Sequence, residues 1–326
     1  MNNHTQKSSI IINKTETVLL EAFMQDDTEA LIDDTAFDTQ RWQRYIEQEI
    51  GFILPTVQRK WLVNAVSQTA LSYGLTVIQL WHQLPHNDEL RQQLLDKVLI
   101  HESRFFRHVP SIEFVTNDAL QHQRRQLVDI ESGADEMFRI WSVGCASGQE
   151  TWSLAMSLAS KQLSNYAILG TDVSQQAVTT ARLGQYDNRQ QSLIPLRCQQ
   201  FVQPLKPANA TKEAGFNTAS IEKNKVSSSC ADWRIAPMLK PHVRFALHNI
   251  MDKKLPTPHL QQVIVCQNML LYFRKFDQRD ILARLSEQCA LGGYIILAPG
   301  EALFWRPSNM RRIAHPQINA WQKISA

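Results

Sequence analysis

The chain has 326 residues, 44% of them hydrophobic and 20% charged, with 11 Gly and 13 Pro. That globular composition excludes a wholly disordered or collagen-like chain and leaves room for one large domain plus a smaller one. The net charge is +3, but residues 1–40 carry 2 Lys and 8 Asp/Glu, so an acidic start precedes a mildly basic body. An anionic ligand or partner surface fits that balance, and the lack of a Lys/Arg run or aromatic-interleaved basic stripe argues against a nucleic-acid module.

Residues 1–40 read as a flexible acidic tail, with one short helix near Glu16–Met24. From Trp42 the spacing becomes helical. Trp42, Tyr45, Ile46 and Ile50 form one stripe that stops at Gly51; Val57, Trp61, Leu62, Ala65, Val66 and Leu71 form a second that stops at Gly74; Asp88 can cap a third carrying Leu90, Leu94, Leu95 and Val98. Residues 41–108 are therefore expected to be an all-helical N-terminal domain, followed by a linker over 109–137.

From Phe138 short apolar strands alternate with helices. Strands are expected at Phe138–Val143, Tyr166–Gly170, Val243–Leu247, Gln262–Cys266 and Tyr294–Ala298, the last entered through a turn at Leu291-Gly292-Gly293. Helices are expected at Glu150–Leu163, Ser174–Leu183 and Asp277–Ala290. The pattern predicts an α/β domain over 138–305, a parallel sheet wound with helices, with its ligand at the carboxyl ends of the strands. A polar Ser/Asn/Lys-rich stretch, 204–232, reads as a mobile insertion inside a small subdomain of about 187–242, and 306–326 as a C-terminal tail.

Five cysteines without a CxxC pair speak against a disulfide framework or zinc site, and Cys145 and Cys266 fall in apolar strand-like runs as reduced core residues. His82, His86 and His108 lack ligand spacing, so no metal is expected. No 18-residue apolar run and no secretory leader pattern occur, which leads to an expectation of a cytoplasmic protein with no membrane insertion.

Two local signals carry chemistry. Trp141-Ser-Val-Gly144-Cys-Ala-Ser-Gly148-Gln-Glu150 follows a strand and opens a helix, where glycines let the backbone approach a ligand and free N–H groups are presented. It is not GxGxxG and has no Lys, and Glu150 would repel phosphate but suit a cation; a plain strand-to-helix turn would also read this way. The second signal is Gly170-Thr171-Asp172 at the end of the next strand. A carboxylate there can accept both hydroxyls of a ribose, or simply cap the following helix. Together they favour a nucleoside-bearing cofactor.

Six blocks then occur in one order: His101-Glu-Ser-Arg-Phe-Phe-Arg107, Trp141 to Met156, Gly170-Thr-Asp-Val-Ser174, Ala181-Arg-Leu-Gly-Gln-Tyr186, Cys266-Gln-Asn-Met-Leu-Leu-Tyr-Phe273 and Gly292-Gly-Tyr294. Over about 41–305 the chain resembles the CheR-type chemoreceptor glutamate methyltransferases. The Gln149-Glu150-Thr151-Trp152 form of the loop resembles the branch serving type IV pilus chemosensory systems, the PilK-like proteins. The resemblance implies a class I, Rossmann-like S-adenosylmethionine (SAM)-dependent methyltransferase domain, a helical N-terminal domain and a small β-subdomain. It implies cofactor contacts from His101, Ser103, Arg107, Gly144, Gly148, Glu150, Asp172, Asn249, Ile250, Gln267 and Asn268, and catalytic roles for Arg107 and Tyr272. Phe105 and Phe106 would be core or a wall for the adenine. The implied product is a γ-glutamyl methyl ester on the cytoplasmic domain of a methyl-accepting receptor, made by a monomer in chemotaxis or twitching-motility signalling, with S-adenosylhomocysteine as the second product.

Three departures accompany the resemblance. Gln149-Glu150 stands where the family usually has Glu-Glu, Gln267-Asn268 where it has Arg-Asn, and Ala298-Pro-Gly-Glu301 where it has Gly-His-Ser-Glu. The first two each remove a charge near the expected cofactor end, so a weakened CheR-like binding module, or a methyltransferase with another substrate, stands as the alternative.

Overall fold

The computed structural model describes residues 38–55, 58–129, 137–205 and 232–325. The short helix expected near Glu16–Met24, most of the insertion at 204–232, and Cys230 lie outside the described residues.

The N-terminal helices form where apolar spacing places them. Helix α1 (Thr39–Ile50) buries Trp42, Ile46 and Ile50, one turn apart, and stops at Gly51, whose φ of +72° a side chain would resist. Helix α2 (Arg59–Ser72) buries Leu62, Ala65, Val66, Thr69 and Ala70. Two residues of the expected stripe are not core: Leu71 is 70% exposed, and Trp61 is 40% exposed with its indole N–H donated to the Val98 carbonyl at 3.0 Å.

Helix α3 (Val77–Gln83) escapes sequence periodicity because it buries only Leu80; a reciprocal capping box between Thr76 and Gln79 starts it. Helix α4 (Asp88–Val98) buries Leu90, Leu94, Leu95 and Val98 as expected, but its cap is Asn87, which accepts from the Leu90 N–H, and Asp88 is the first helical residue.

The stretch read as a linker is helical. Helix α5 (Val109–Phe114) runs through a π-helical turn (Val115–Ala119) into helix α6 (Leu120–Asp129). The π turn adds a residue and shifts the phase of the buried positions Ile112, Val115, Ala119 and Leu120, so no single helical period spans the segment.

Strand β1 (Phe138–Val143) begins the α/β region, followed by α7 (Gln149–Ser160), β2 (Tyr166–Asp172), α8 (Gln175–Leu183) and β3 (Gln185–Tyr186). A four-residue helix, α9 (Asn188–Gln191), leads to β4 (Val202–Pro204); β5 (Trp233–Ile235), β6 (Val243–Leu247) and β7 (Gln261–Cys266) follow. Helix α10 (Lys275–Gln288) and strands β8 (Cys289–Leu297), β9 (Met310–Arg312) and β10 (Asn319–Lys323) complete the described chain.

Seven strands form one sheet in the order β6-β2-β1-β7-β8-β10-β9; the first five are parallel, and β10 and β9 run antiparallel to their neighbours. Strand order reverses between β1 and β7, which opens a crevice at their carboxyl ends. Helix α7 buries Gln149 and every residue from Thr151 to Leu158, and its Trp152 donates to the Ala181 carbonyl at 3.0 Å. A second, antiparallel sheet, β3-β5-β4, is the small β-subdomain, with Trp233 packed against Phe105 and Tyr186.

Two expectations are corrected here. Gly292 and Gly293 are not a turn ahead of a strand; they lie inside β8 at a register break, where pairing passes from Gln261↔Cys289 to Val263↔Tyr294. A Cβ on Gly293 would stand 2.8 Å from the Gln262 carbonyl oxygen, so the backbones approach where a side chain cannot.

Residues 306–326 are not a tail, because they contribute β9 and β10. Every residue of β10 is buried, but three of the five are polar and each depends on a distant partner, as when Lys323 Nζ donates to the Ser286 carbonyl at 2.9 Å. Trp321, 4% exposed, packs against Trp305 at 4.9 Å. Trp321→Ala is expected to cost about 3–5 kcal/mol, read as a lowered Tm; an unchanged Tm would contradict a load-carrying C-terminal strand.

Candidate active site

The carboxyl ends of β1, β2, β6 and β7 gather the residues that the sequence singles out. The loop after β1 runs from Gly144 (φ +66°) through Ala146 (φ +46°) to Gly148 (φ +90°). At Gly148 an added Cβ would lie 2.8 Å from the Ala181 Cβ, and at Gly144 one would lie 3.0 Å from the Met269 sulfur. The two glycines thus answer both to dihedral and to space.

Asp172 ties this loop to the end of β2. Its Oδ2 accepts the Ala146 N–H at 2.8 Å and its Oδ1 the Ser174 N–H at 2.9 Å. Ser174, not Asp172, caps α8 by accepting from the Ala177 N–H at 3.0 Å. Each Asp172 oxygen keeps further lone pairs for a ligand hydroxyl. Burial raises its pKa, while the two N–H groups and nearby His101 pull it back. The His101 Nε2 is buried without a protein partner, an orphaned polar atom at this same place.

Glu150 opens α7 and accepts from the Ser142 hydroxyl at 2.8 Å. Loss of water pushes its carboxyl up to about 7; Ser142 and then Arg107 draw it down, and Glu301 raises it. Arg107 is exposed, donates from Nη1 to the Glu102 carbonyl at 3.0 Å, and is close enough to act on Glu150. Ser103 is half-buried in the same segment. Phe105 and Phe106 are buried; Phe105 packs edge-on to Tyr186, so it is core, and the Phe106 N–H donates to Ser153 Oγ at 3.0 Å.

The other expected residues stand around the same crevice, several of them spoken for. Asn249 donates to the Glu49 carbonyl at 2.8 Å, joining the loop after β6 to α1, and Ile250 is half-buried beside it. Gln267 gives its amide to Ser111 Oγ at 2.9 Å and the Leu297 carbonyl at 3.2 Å. Asn268 has φ +58° and donates its N–H to Glu301 Oε2 at 3.1 Å. Tyr272 stacks on Phe52 at 4.5 Å, and its carbonyl accepts from the Ile53 N–H at 2.8 Å.

Sequence reasoning missed four members of this surround. Ser142 could have been flagged as a polar residue inside a buried strand. Glu301 stood in the divergent closing block. Phe52 and Met269 carry no signal beyond being apolar, since only folding brings them to the site.

Comparison with known proteins fits this geometry. The family model "CheR methyltransferase, SAM binding domain" matches residues 101–318. The chain belongs to this family. A chemotaxis protein methyltransferase, Cher2, of Pseudomonas putida is 22% identical over 289 residues, covering 85% of this chain and 94% of its own. Chemotaxis protein methyltransferase 1 of Pseudomonas aeruginosa is 25% identical over 291 residues, with the same coverages. The probable biofilm formation methyltransferase WspC of that organism is 24% identical, covering 87% of this chain and 62% of its own.

The fold is thus that of a class I SAM-dependent methyltransferase, the protein is an enzyme of that kind, and SAM is its cofactor. The residues present fit the group. Carboxylates of Asp172 and Glu150 suit ribose hydroxyls and cationic centres, the glycine loop leaves space, and His101 Nε2 offers an unused polar atom.

A ligand ammonium facing Glu150, a cation that S-adenosylhomocysteine keeps although it lacks the sulfonium, selects the ionised carboxylate. Since that carboxyl ionises near 7, protonation at lower pH competes with binding. Calorimetric titration is expected to show S-adenosylhomocysteine affinity rising from about pH 6 to about pH 8 and levelling above, by at most roughly tenfold per pH unit. Glu150→Gln should flatten that rise; an identical slope in the variant would remove Glu150 from the cofactor site.

Proposed function

We propose that this enzyme methylates glutamate side-chain carboxylates on the cytoplasmic domain of a methyl-accepting chemoreceptor, giving γ-glutamyl methyl esters. The observation that carries the reading is Arg107, exposed and free to grip an incoming anion, within the field of a desolvated Glu150. A guanidinium fork matches a carboxylate in two parallel hydrogen bonds. Relatives named as chemotaxis methyltransferases support the substrate class.

A glutamate carboxylate, with an ordinary pKa of about 4.3, is already ionised at neutral pH. It needs no general base, so none of the buried carboxylates has to take a proton. SAM, when bound, supplies an electrophilic methyl group on a sulfonium. With SAM held by Glu150 and Asp172, transfer of that methyl to the carboxylate oxygen would leave two neutral groups, the ester and the thioether, in place of an anion and a cation. Water stabilises separated charges better than the charge-diffuse transition state, so exclusion of water and alignment supply most of the rate. Arg107 positions the carboxylate without fully neutralising it, and Tyr272, stacked on Phe52, lines the approach. Glu150 and Asp172 hold the cofactor; His101, Ser103, Asn249, Ile250 and Asn268 frame it.

Both departing glutamines give their amide N–H groups to internal partners, although the Gln149 Oε1 is buried without one. Gln149 is buried and donates to Gln190 Oε1 at 3.2 Å, and Gln267 spends its amide on Ser111 and Leu297. Their internal partners favour a working enzyme over a binding module. The Gln149-Glu150-Thr151-Trp152 loop supports a place in a type IV pilus pathway, controlling twitching motility, within the cytoplasm.

Radiolabelled methyl donor and a receptor cytoplasmic fragment test the reading. Label released from the receptor by mild alkali is the expected result, with Arg107→Ala about 10²-fold slower and Arg107→Lys between the two. Label that survives alkali would point to another acceptor atom and refute ester formation.

A further inference from the structure

Glu301 lies in the loop after β8, far in sequence from every residue assigned a role above. Its Oε2 accepts the Ala298 N–H at 3.0 Å and the Asn268 N–H at 3.1 Å. Its Oε1 is buried without a hydrogen-bond partner, and loss of water raises its pKa while neighbouring backbone N–H groups, Ala298 and Asn268 first, draw it back. It makes no ion pair among the described residues. A buried carboxylate held only by backbone N–H groups is costly, and a neutral side chain would serve a plain loop better.

What it holds is the segment that carries two site residues. Asn268 sits at φ +58°, a left-handed conformation that asparagine tolerates better than most non-glycine residues and that a hydrogen bond on its N–H helps to fix. Leu270–Tyr272 then forms a tight turn, with the Tyr272 N–H donated to the Met269 carbonyl at 3.2 Å. Glu301 is itself fixed from behind. Asn319 Nδ2 donates to the Glu301 carbonyl at 2.8 Å, and Trp321 Nε1 donates to Asn319 Oδ1 at 3.1 Å. A continuous brace therefore runs from β10 through Glu301 to the turn after β7.

We propose that Glu301 is a positioning residue for methyl transfer, whose carboxylate holds the Asn268 N–H at the start of the turn and so sets where Asn268 and Tyr272 stand in the site. The inference rests on the methyl-transfer reading of the site. Charge-assisted hydrogen bonds are the strong kind, and they act here on a peptide that would otherwise relax from its positive φ. Glu301 touches neither cofactor nor substrate; it acts through the turn. The C-terminal strands then have a part in catalysis, because they fix the arm that fixes Tyr272.

The test uses the full chain with Glu301→Gln, Tyr272→Ala and the double variant, measuring kcat, KM for receptor, S-adenosylhomocysteine affinity, Tm and amide hydrogen exchange. Glu301→Gln is expected to stay folded at the assay temperature and to lose about 10²-fold in kcat. Its receptor KM should move less than about threefold. Adding it to Tyr272→Ala should cost little more, because the two act as one unit.

Full additivity in the double variant, wild-type kcat in Glu301→Gln, or a loss equal to the unfolded fraction would overturn the proposal. Should Glu301→Gln not fold, Glu301→Asp, which keeps the charge on a shorter arm, is read by the same criteria. If the wild type methylates no receptor, the functional reading fails separately. Exchange and product binding then judge the inference: faster exchange at amides 268 and 298 with about tenfold weaker product binding supports it, and unchanged exchange sinks it.

Discussion

A buried carboxylate that must find hydrogen-bond donors shapes this molecule more than any other constraint. Asp172 takes one N–H from the glycine loop and one from the start of α8. Those two bonds clamp the ends of β1 and β2, which pair in parallel along their whole length, into one rigid edge. The loop can then cross at positive φ without collapsing into the crevice. The helical N-terminal segment is tied to the same edge. Asp96 of α4 accepts from Ser174 Oγ at 2.7 Å and the Gln176 N–H at 3.2 Å, and Gln92 donates to the Val173 carbonyl at 2.9 Å. Helices remote in sequence thereby become a wall of the crevice.

The electrostatics of the crevice follow from that closure. Glu150, Asp172 and Glu301 all have carboxyls whose first perturbing influence is loss of water. Such an acidic, partly dried site repels phosphate and attracts a cation. Arg107, an exposed cation close enough to act on Glu150, stands beside this acidic site. The same dryness favours a reaction in which two charges disappear.

The C-terminal segment shows how a fold recruits polar residues for structural ends. Strand β10 carries Asn319, Gln322 and Lys323 into the interior, and each finds a partner more than ten residues away. Gln322, for example, donates to the Tyr294 hydroxyl at 3.1 Å. Buried polar groups of this kind are neutral to stability when satisfied and expensive when not, so they specify one arrangement.

Periodicity, punctuation and motif order disclosed much of this protein. The parallel strands β1 and β7 read as short apolar runs because both of their faces are covered, whereas the edge strand β6 keeps Arg244 and Leu247 exposed. The stops at Gly51 and Gly74 were visible because each position takes a positive φ that favours glycine. The glycine loop, Asp172 and Arg107 stood out because their chemistry is local to a strand end or a short block. The rest depended on contacts that no window of sequence contains. The helix over 109–129 hid behind a π turn that broke its phase, and β10 hid because its buried residues are polar. Phe52, Met269 and Glu301 became part of the site only when distant segments met. Local patterns report which face of an element is dry; they say nothing of which remote donor satisfies a buried oxygen, and here that pairing fixes the site.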